Sequence, residues 1–333
     1  MNFKMYLSRS FVFFDGVKLY LDIIEKSMEN LGCSVSRVHN VGQIDKDDIV
    51  LTIGHYDFFP VWKKNRNIIH WVQGIAPEET LANDKSFVNK YRRYIQYRFM
   101  EWFIIRKASF LLFVSEDMLR HYQRIYKYSR KNYAIVPCFN MLLDKSSFCQ
   151  EKYQSPSFVY TGNLSGWQCF PETVGMFKKI KCLLPNANLT IYTKDQEDAN
   201  RILKGEGVSA DVKYLPAEKL EGELKKYKYG FLIRDNIEVN KVATPIKMNT
   251  YLANGIIPVF SDVIGAFHDH IGTLKYSVPL NESRSISKII ELENTDILAA
   301  DVYNEYEGIF REYYSPTYYI DMLSHKFKTI LCI

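Results

Sequence analysis

The sequence predicts an α/β protein built as two facing Rossmann-like domains with a cleft between them. Three observations carry this. Short apolar runs alternate with segments of helical period along the chain, and Gly, Pro and Ser punctuate the junctions. The length, 333 residues, gives room for two domains of ordinary size. Alternation of this kind means parallel, doubly wound sheets.

In the first half, Phe3 to Leu7 reads as a strand and Asp15-Gly16 as the loop after it. Val17 to Leu31 has helical spacing and stops at Gly32. Ser34 to Val38 is a second strand, and Asp48 to Ile53 and Asn67 to Val72 are buried-type strands ending on Gly54 and Gly74. A long helix from about Ser86 to Lys107 leads to the strand Phe110 to Val114. Ser115 caps a helix to about Tyr128, and Tyr133 to Val136 is a strand before Pro137.

The second half repeats the pattern after a joint at Asp144 to Pro156. Strands are expected at Ser157 to Tyr160, Asn188 to Thr193 and Val212 to Leu215, with helices at Phe170 to Leu184, Gln196 to Gly205 and Glu218 to Tyr227. The tail from Ile297 to Leu331 is helical and amphipathic, broken at Ser315-Pro316. Domains are drawn at 1–150 and 151–310, with a helix over 311–333 packing back on the first.

Hydrophobic residues at 47% and charged residues at 24% describe a globular chain rather than a disordered one, and the net charge of +5 is mild. The six cysteines have no metal-like spacing and are read as reduced thiols of a cytoplasmic protein. No secretory leader or membrane-spanning run is expected. No GxGxxG follows the first strand and no Walker loop occurs, which argues against a dinucleotide or nucleotide-triphosphate site. Asp45-Lys46-Asp47 has the DxD form of a metal site but lies in a polar turn before a strand, so no metal is assigned.

The most informative stretch is YGFLIRDNIEVNKVATPIKMNTYLANGIIPVFSD, from Tyr229 to Asp262. An apolar strand ends on Arg234-Asp235, and a polar loop leads through Thr244 to Pro245 at a helix start. That helix carries Lys247 and Thr250 and is closed by Gly255 before a second strand. This is a βαβ step with cations at its mouth, where anionic ligands of parallel sheets bind.

The run resembles the donor-binding stretch of GT-B glycosyltransferases, whose usual form is a proline, a lysine, then an acid five residues before the helix-ending glycine. YTGNLSGWQCF resembles the loop that opens their donor domain with backbone N–H groups facing the phosphates. NIIHWVQGIAPEE resembles the acceptor-domain loop of the cleft. The resemblance implies transfer of a sugar from a nucleoside-diphosphate sugar, a co-substrate rather than a cofactor, with retention and without a metal. The acceptor it implies is a glycan or lipid-linked glycan of bacterial capsule or O-antigen. Two positions depart from the pattern: Gln73 stands before Gly74 where many retaining members have histidine, and Thr250 stands in place of the ribose-binding glutamate. The second expected glutamate would fall at Val242.

Arg234 and Lys247 are assigned to the diphosphate, with pairing of Arg234 to Asp235 or Glu238 and a solvated Lys247 as the competing reading; Gln73 and Gly74 are assigned to the reacting sugar. Gly16, Gly162, Asn163, Thr244, Pro245 and Thr250 are assigned to the donor. Thr193, Lys194, Leu215 and Pro216 either frame the base or make ordinary strand-to-helix turns. His55, Asp57 and Glu78 are the acceptor-side candidates, with loop structure or a helix cap as the competing reading. A nucleotide-sugar epimerase on the same architecture and a non-catalytic glycan- or transferase-binding partner are the alternative functions.

From Lys85 to Tyr133 the chain has twelve Lys/Arg against three Asp/Glu, interleaved with aromatic residues. Lys90, Arg92, Arg93, Arg98, Arg106 and Lys107 therefore mark an expected contact with an anionic membrane surface, as a peripheral protein on the inner face of the cell membrane. The alternative is a helix that solvates its cations and buries its rings. Nucleic acid is not an expected partner, because no recognised binding motif occurs. The sequence leaves oligomeric state open.

Overall fold

The computed structural model describes residues 1–8, 15–83, 87–280 and 285–331. In chain order the first elements are β1 (Asn2–Tyr6), α1 (Asp15–Glu29), β2 (Ser34–Val38), β3 (Ile49–Thr52), α2 (His55–Lys64) and β4 (Ile68–Trp71). They continue with α3 (Ala76–Asn83), α4 (Phe87–Lys107), β5 (Phe110–Phe113), α5 (Glu116–Tyr126) and β6 (Tyr133–Ile135). The second series is β7 (Ser157–Thr161), α6 (Phe170–Leu183), β8 (Asn188–Tyr192), α7 (Gln196–Glu206), β9 (Asp211–Lys213), α8 (Ala217–Leu224) and β10 (Tyr229–Leu232). It ends with α9 (Glu238–Val242), α10 (Ile246–Ala253), β11 (Ile257–Ser261), α11 (Gly265–His270), β12 (Val278–Leu280), α12 (Ser285–Glu293), α13 (Ala299–Glu312) and α14 (Pro316–Leu331).

These form two six-stranded sheets, ordered β2-β1-β3-β4-β5-β6 and β12-β11-β10-β7-β8-β9, with every described strand pair parallel. The inner strands β3, β4, β5, β7, β10 and β11 are buried along their whole length, which is why they read as continuous apolar runs rather than alternating ones. In the first unit, Tyr20 of α1 stacks on Trp71 of β4 with ring centroids 3.7 Å apart. In the second, Phe158 stacks on Tyr229 and Phe231 across β7 and β10.

The chain divides into two compact units. The first holds Met1–Asn140, Val242–Thr244 and Ser315–Ile333, and the second Met141–Lys241 and Pro245–Tyr314. Residues 141–150, drawn by sequence with the first domain, therefore belong to the second unit. The reason is a set of hydrogen bonds to α10. Asn249 donates to the Met141 carbonyl and accepts from its amide, at 3.1 and 2.9 Å. Helix α14 lies in the first unit along α1, where Ser324 donates to the Ser27 carbonyl and Phe327 meets Phe110.

Four local readings need correction. Asp15 and Gly16 open α1 rather than forming a loop, and their side chains lie outside the described residues, as does Ser86. His55 to Lys64 is helical despite the interior Pro60. Ala76 to Asn83 is a helix with Glu78 and Glu79 in its first turn. The polar loop after Arg234 contains the short helix α9. Ser115 caps α5 as the sequence predicts, its hydroxyl accepting from the Met118 amide at 2.9 Å.

The far end of α10 is clamped. Lys152, 6% exposed, donates to the carbonyls of Ser147 and Asn254, and burial lowers its pKa to about 7. Tyr153 donates to the Gly255 carbonyl at 2.7 Å. Gly255 has φ +65°, and a Cβ there would come 2.9 Å from the Phe148 ring and the Tyr153 hydroxyl. Gly255→Ala combines the left-handed penalty, about 1–2 kcal/mol, with a clash against packed rings. A loss of about 2 kcal/mol or more is expected in denaturant unfolding, and a loss below about 0.5 kcal/mol would contradict this account of the helix end.

Candidate functional site

The chemistry of the second unit gathers where β7, β10 and β11 end. Leu232 pairs with Phe260, so the chain leaving β10 runs beside the end of β11, and the Arg234 amide donates to the Ser261 hydroxyl at 2.8 Å. The Arg234 side chain is folded inward, 7% exposed, with Nη1 donating to the Ile233 carbonyl at 3.0 Å. Pro245 sets the cap of α10 with φ −57°, which places Lys247 in the first turn.

Lys247 Nζ donates to Gln168 Oε1 at 2.9 Å and lies 4.8 Å from the centre of the Tyr160 ring. Gly162 has φ +119°, and a Cβ there would be 2.8 Å from Lys247 Nζ. The glycine is thus required twice, by its backbone and by the approach of the ammonium. Tyr251, one turn on, fills the space over Gly230, where a Cβ would meet its ring at 2.8 Å, and donates to the Phe231 carbonyl at 3.1 Å.

Burial first, and then the Arg234 guanidinium, hold the Lys247 pKa well below the ordinary lysine value. Burial also lowers the pKa of Arg234, opposed by Tyr160, Cys169 and Tyr251. Among the described residues no carboxylate forms an ion pair with either cation. Two neighbouring cations without a carboxylate partner make this a place of positive potential.

Beside them is a cavity of about 450 Å³ at the ends of β7, β8 and β9. Its walls include Gly162, Asn163, Thr193, Lys194 and Leu215, so the structure brings together five residues named separately from sequence. Tyr214 presents a half-open ring with Lys194 Nζ 5.7 Å above it. Asp195 is fixed by accepting from the Leu164 amide at 3.0 Å. A larger cavity, about 600 Å³, lies at the other end of the same strands, around Asn188 and Asp211. Ligands of open parallel sheets bind at the carboxyl ends of the strands, so the smaller cavity is the candidate.

Several assignments change. The glycine loop does not offer a row of free amides: Gly162 N–H is bonded to the Tyr192 carbonyl, Leu164 N–H to Asp195 and Ser165 N–H to Asn163. Its contribution is the space it leaves for Lys247. Thr244 is buried in the first unit, where its hydroxyl accepts from the Cys138 amide at 3.0 Å. Pro216 caps α8 and is not part of the cavity wall. Thr250 hydrogen-bonds back to the Ile246 carbonyl at 3.3 Å, and Val242 is buried with its carbonyl accepting from Ser115. Gln168, Tyr160, Tyr251 and Tyr214 were not singled out by sequence. A single 3₁₀ turn, Gly166–Gln168, carries Gln168 to the lysine, and no sequence period announces such a turn.

In the first unit, Gln73 is exposed after β4, and the Glu79 carboxylate packs so closely on Gly74 that a Cβ there would overlap it. Burial raises the Glu79 pKa, with nearby His55 acting in the opposite sense. His55 Nε2 is 3.5 Å from Glu101, a buried acid missed by sequence, which accepts from the Tyr126 hydroxyl at 2.6 Å and the Ala76 amide at 3.1 Å. Asp57 lies in the first turn of α2, its pKa raised by burial. Glu78 is not available to an acceptor as drawn: it pairs with Arg98 at 2.6 Å and lies 3.5 Å from His121. Arg98 is for the same reason an internal strut, donating also to Tyr94 and Tyr126, and not a membrane-facing cation. Gly16 lies in the first turn of α1.

No family model matches the chain and no curated protein matches it. Solved structures match its fold. TarM superposes with a TM-score of 0.62 at 13% identity, over 85% of this chain and 55% of that chain. The chain therefore spans little more than half of TarM's length. A glycosyltransferase from Rickettsia africae matches with a TM-score of 0.66 at 11% identity, over 99% and 98% of the two chains. An alpha-glucosyltransferase solved with UDP and a 13-mer DNA matches at 0.64 and 11% identity, over 98% and 99%. The likeness is one of fold, and the fold is GT-B.

The depressed Lys247 pKa gives a pH test. A diphosphate seated on Lys247 raises that pKa, so binding takes up a proton at pH values between the free and bound pKa, and affinity falls as pH rises through that window. Calorimetry with UDP at a series of pH values from about 7, above the phosphate pKa of about 6, up to the ordinary lysine pKa of about 10.4, in buffers of different ionisation enthalpy, should read net proton uptake within that range. Lys247→Gln should abolish it. Heats that do not depend on the buffer in the unaltered protein would contradict the assignment.

Proposed function

We propose that this chain is a glycosyltransferase that moves a sugar from a nucleoside-diphosphate donor to a glycan or lipid-linked glycan acceptor. The observation that carries the proposal is the pair of a buried Arg234 and a half-buried Lys247, without a carboxylate partner among the described residues, beside a cavity of about 450 Å³. The likeness of fold to glycosyltransferases, one of them solved with UDP, supports it.

In this reading the base enters the cavity between Lys194, Tyr214 and Leu215, and the diphosphate lies on the two cations. As the bond from sugar to phosphate breaks, negative charge grows on the departing diphosphate. Arg234 offers a planar fork and Lys247 a point charge, already oriented by Ile233 and Gln168. Such preorganised donors are each worth about 3 kcal/mol of transition-state stabilisation. No carboxylate among the described residues competes for them, so the developing charge is met in full.

On the first unit, Gln73 and the Gly74 backbone are the proposed contacts to the reacting sugar. A glutamine hydrogen-bonds there but exchanges no proton near neutral pH, which suits retention with the donor phosphate as the proton acceptor. Transfer without a metal, and a role in bacterial surface polysaccharide at the inner face of the membrane, complete the proposal. A non-catalytic partner on the same fold is the second reading, and Thr250 is the observation that favours it: a hydroxyl bonded to its own helix replaces a ribose-binding acid.

Arg234→Ala should lower turnover at least about a hundredfold with the melting temperature held within a few degrees. Near-normal turnover would remove Arg234 from the mechanism. Thr250→Glu distinguishes the two readings: tighter nucleotide binding marks a donor site short of one contact, and unchanged binding marks a site that does not hold a ribose there.

A further inference from the structure

Helix α4 carries an apolar stripe that the first unit leaves in solvent. Val88, Tyr91, Ile95, Phe99 and Trp102 are 76%, 48%, 66%, 59% and 42% exposed. Their spacing of three and four residues puts them on one face of the helix, opposite the buried Met100, Glu101, Ile104 and Ile105. A packed helix ordinarily turns large apolar residues inward and solvates polar ones, whereas α4 carries large apolar residues on its outer side as well as its inner one. Exposed apolar residues that occur singly need no explanation, but five in register over some four turns do.

The surface around the stripe is cationic. Arg92, Arg106 and Lys107 are exposed on α4, and its one acid, Glu101, is buried and bonded to Tyr126. Lys63, Lys64 and Arg66 add exposed cations from the end of α2 and just beyond. The rings and cations are layered on one another. Arg106 lies 4.6 Å from the centre of Trp102, Arg66 3.6 Å from that of Trp62, and Phe59 stacks on Phe103 at 5.1 Å. A protein partner would need acids to meet this rim and a groove to meet the stripe. A bilayer with anionic headgroups meets both without either, because aromatic side chains settle at headgroup depth while arginines reach the phosphates.

We propose that the outer face of α4, with the adjoining end of α2, is the surface by which this protein lies on an anionic lipid membrane. Ile95, Phe99 and Trp102 enter the headgroup region, and Arg92, Arg106 and Arg66 hold the phosphates beside them. The assignment is independent of the donor chemistry proposed above. It also differs from a general basic patch: Arg98, cationic but turned inward to Glu78, takes no part.

The test is cosedimentation of the full chain with vesicles mixing phosphatidylglycerol with phosphatidylcholine, against vesicles of phosphatidylcholine alone, at low and high salt. The full chain should bind the anionic vesicles and bind them less as salt rises. Phe99→Ser with Trp102→Ser should reduce partitioning at least about tenfold, and Arg92→Gln with Arg106→Gln should weaken it and flatten its salt dependence. Should the first pair melt early, Ile95→Gln, at a more exposed position, is read in its place. Failure of the full chain to bind anionic vesicles would overturn the proposal, as would stripe variants that bind like the unaltered chain. So would a dimer in light scattering that the stripe variants dissolve while vesicle binding is absent, since the face would then join two copies.

Discussion

Two cations, a buried Arg234 and a half-buried Lys247, stand near each other in the second unit, and the guanidinium acts against the charge on the lysine. Arg234 and Lys247 reach the end of the parallel sheet from different elements, one from the end of β10 and one from the first turn of α10. Neither is neutralised by a carboxylate among the described residues; they are held instead by the carbonyl of Ile233, the amide of Gln168 and the ring of Tyr160. Neutral groups of this kind orient a charge without cancelling it. A fold that keeps such an arrangement loses stability at that point, and in the proposed reading an anion of two charges would restore it.

The rest of the second unit can be read as what holds the two cations in place. Pro245 fixes where α10 starts, and Gly255 fixes where it stops. Between them, Asn249 is bound to both backbone groups of Met141, and beyond them Lys152 and Tyr153 take the carbonyls of Asn254 and Gly255. The segment 141–153 is therefore a brace along α10, which explains why it packs with this unit although it precedes the first strand. Gly162 keeps the lysine's path open from the other side. Each of these contacts is ordinary, and together they fix the helix that carries Lys247.

The parts legible in the sequence are those set by local rules. Pro at a helix start, Gly at its end and buried apolar runs between them follow from backbone sterics, and the Tyr229–Asp262 step was placed to within a residue at most boundaries. Helix α2 was hidden by Pro60, because a proline inside a helix removes a hydrogen bond and the tertiary packing of Phe58 and Val61 has to outweigh it. Gln168 was hidden by an irregular turn. Arg98 looked like its neighbours Arg92 and Arg93 until a contact twenty residues away, to Glu78, turned it inward. Local patterns give elements and periods; partners distant in sequence decide which charged side chains face solvent.

The measurement that tests the central claim most directly is the melting temperature of the purified chain with UDP, GDP, TDP and CMP, without added metal. A ligand that binds only the folded state raises the midpoint by mass action. The account predicts that at least one nucleoside diphosphate raises it clearly, that CMP with its single phosphate does so less, and that Lys247→Gln removes the difference. No response to any diphosphate at millimolar concentration would contradict the claim that Arg234 and Lys247 await one.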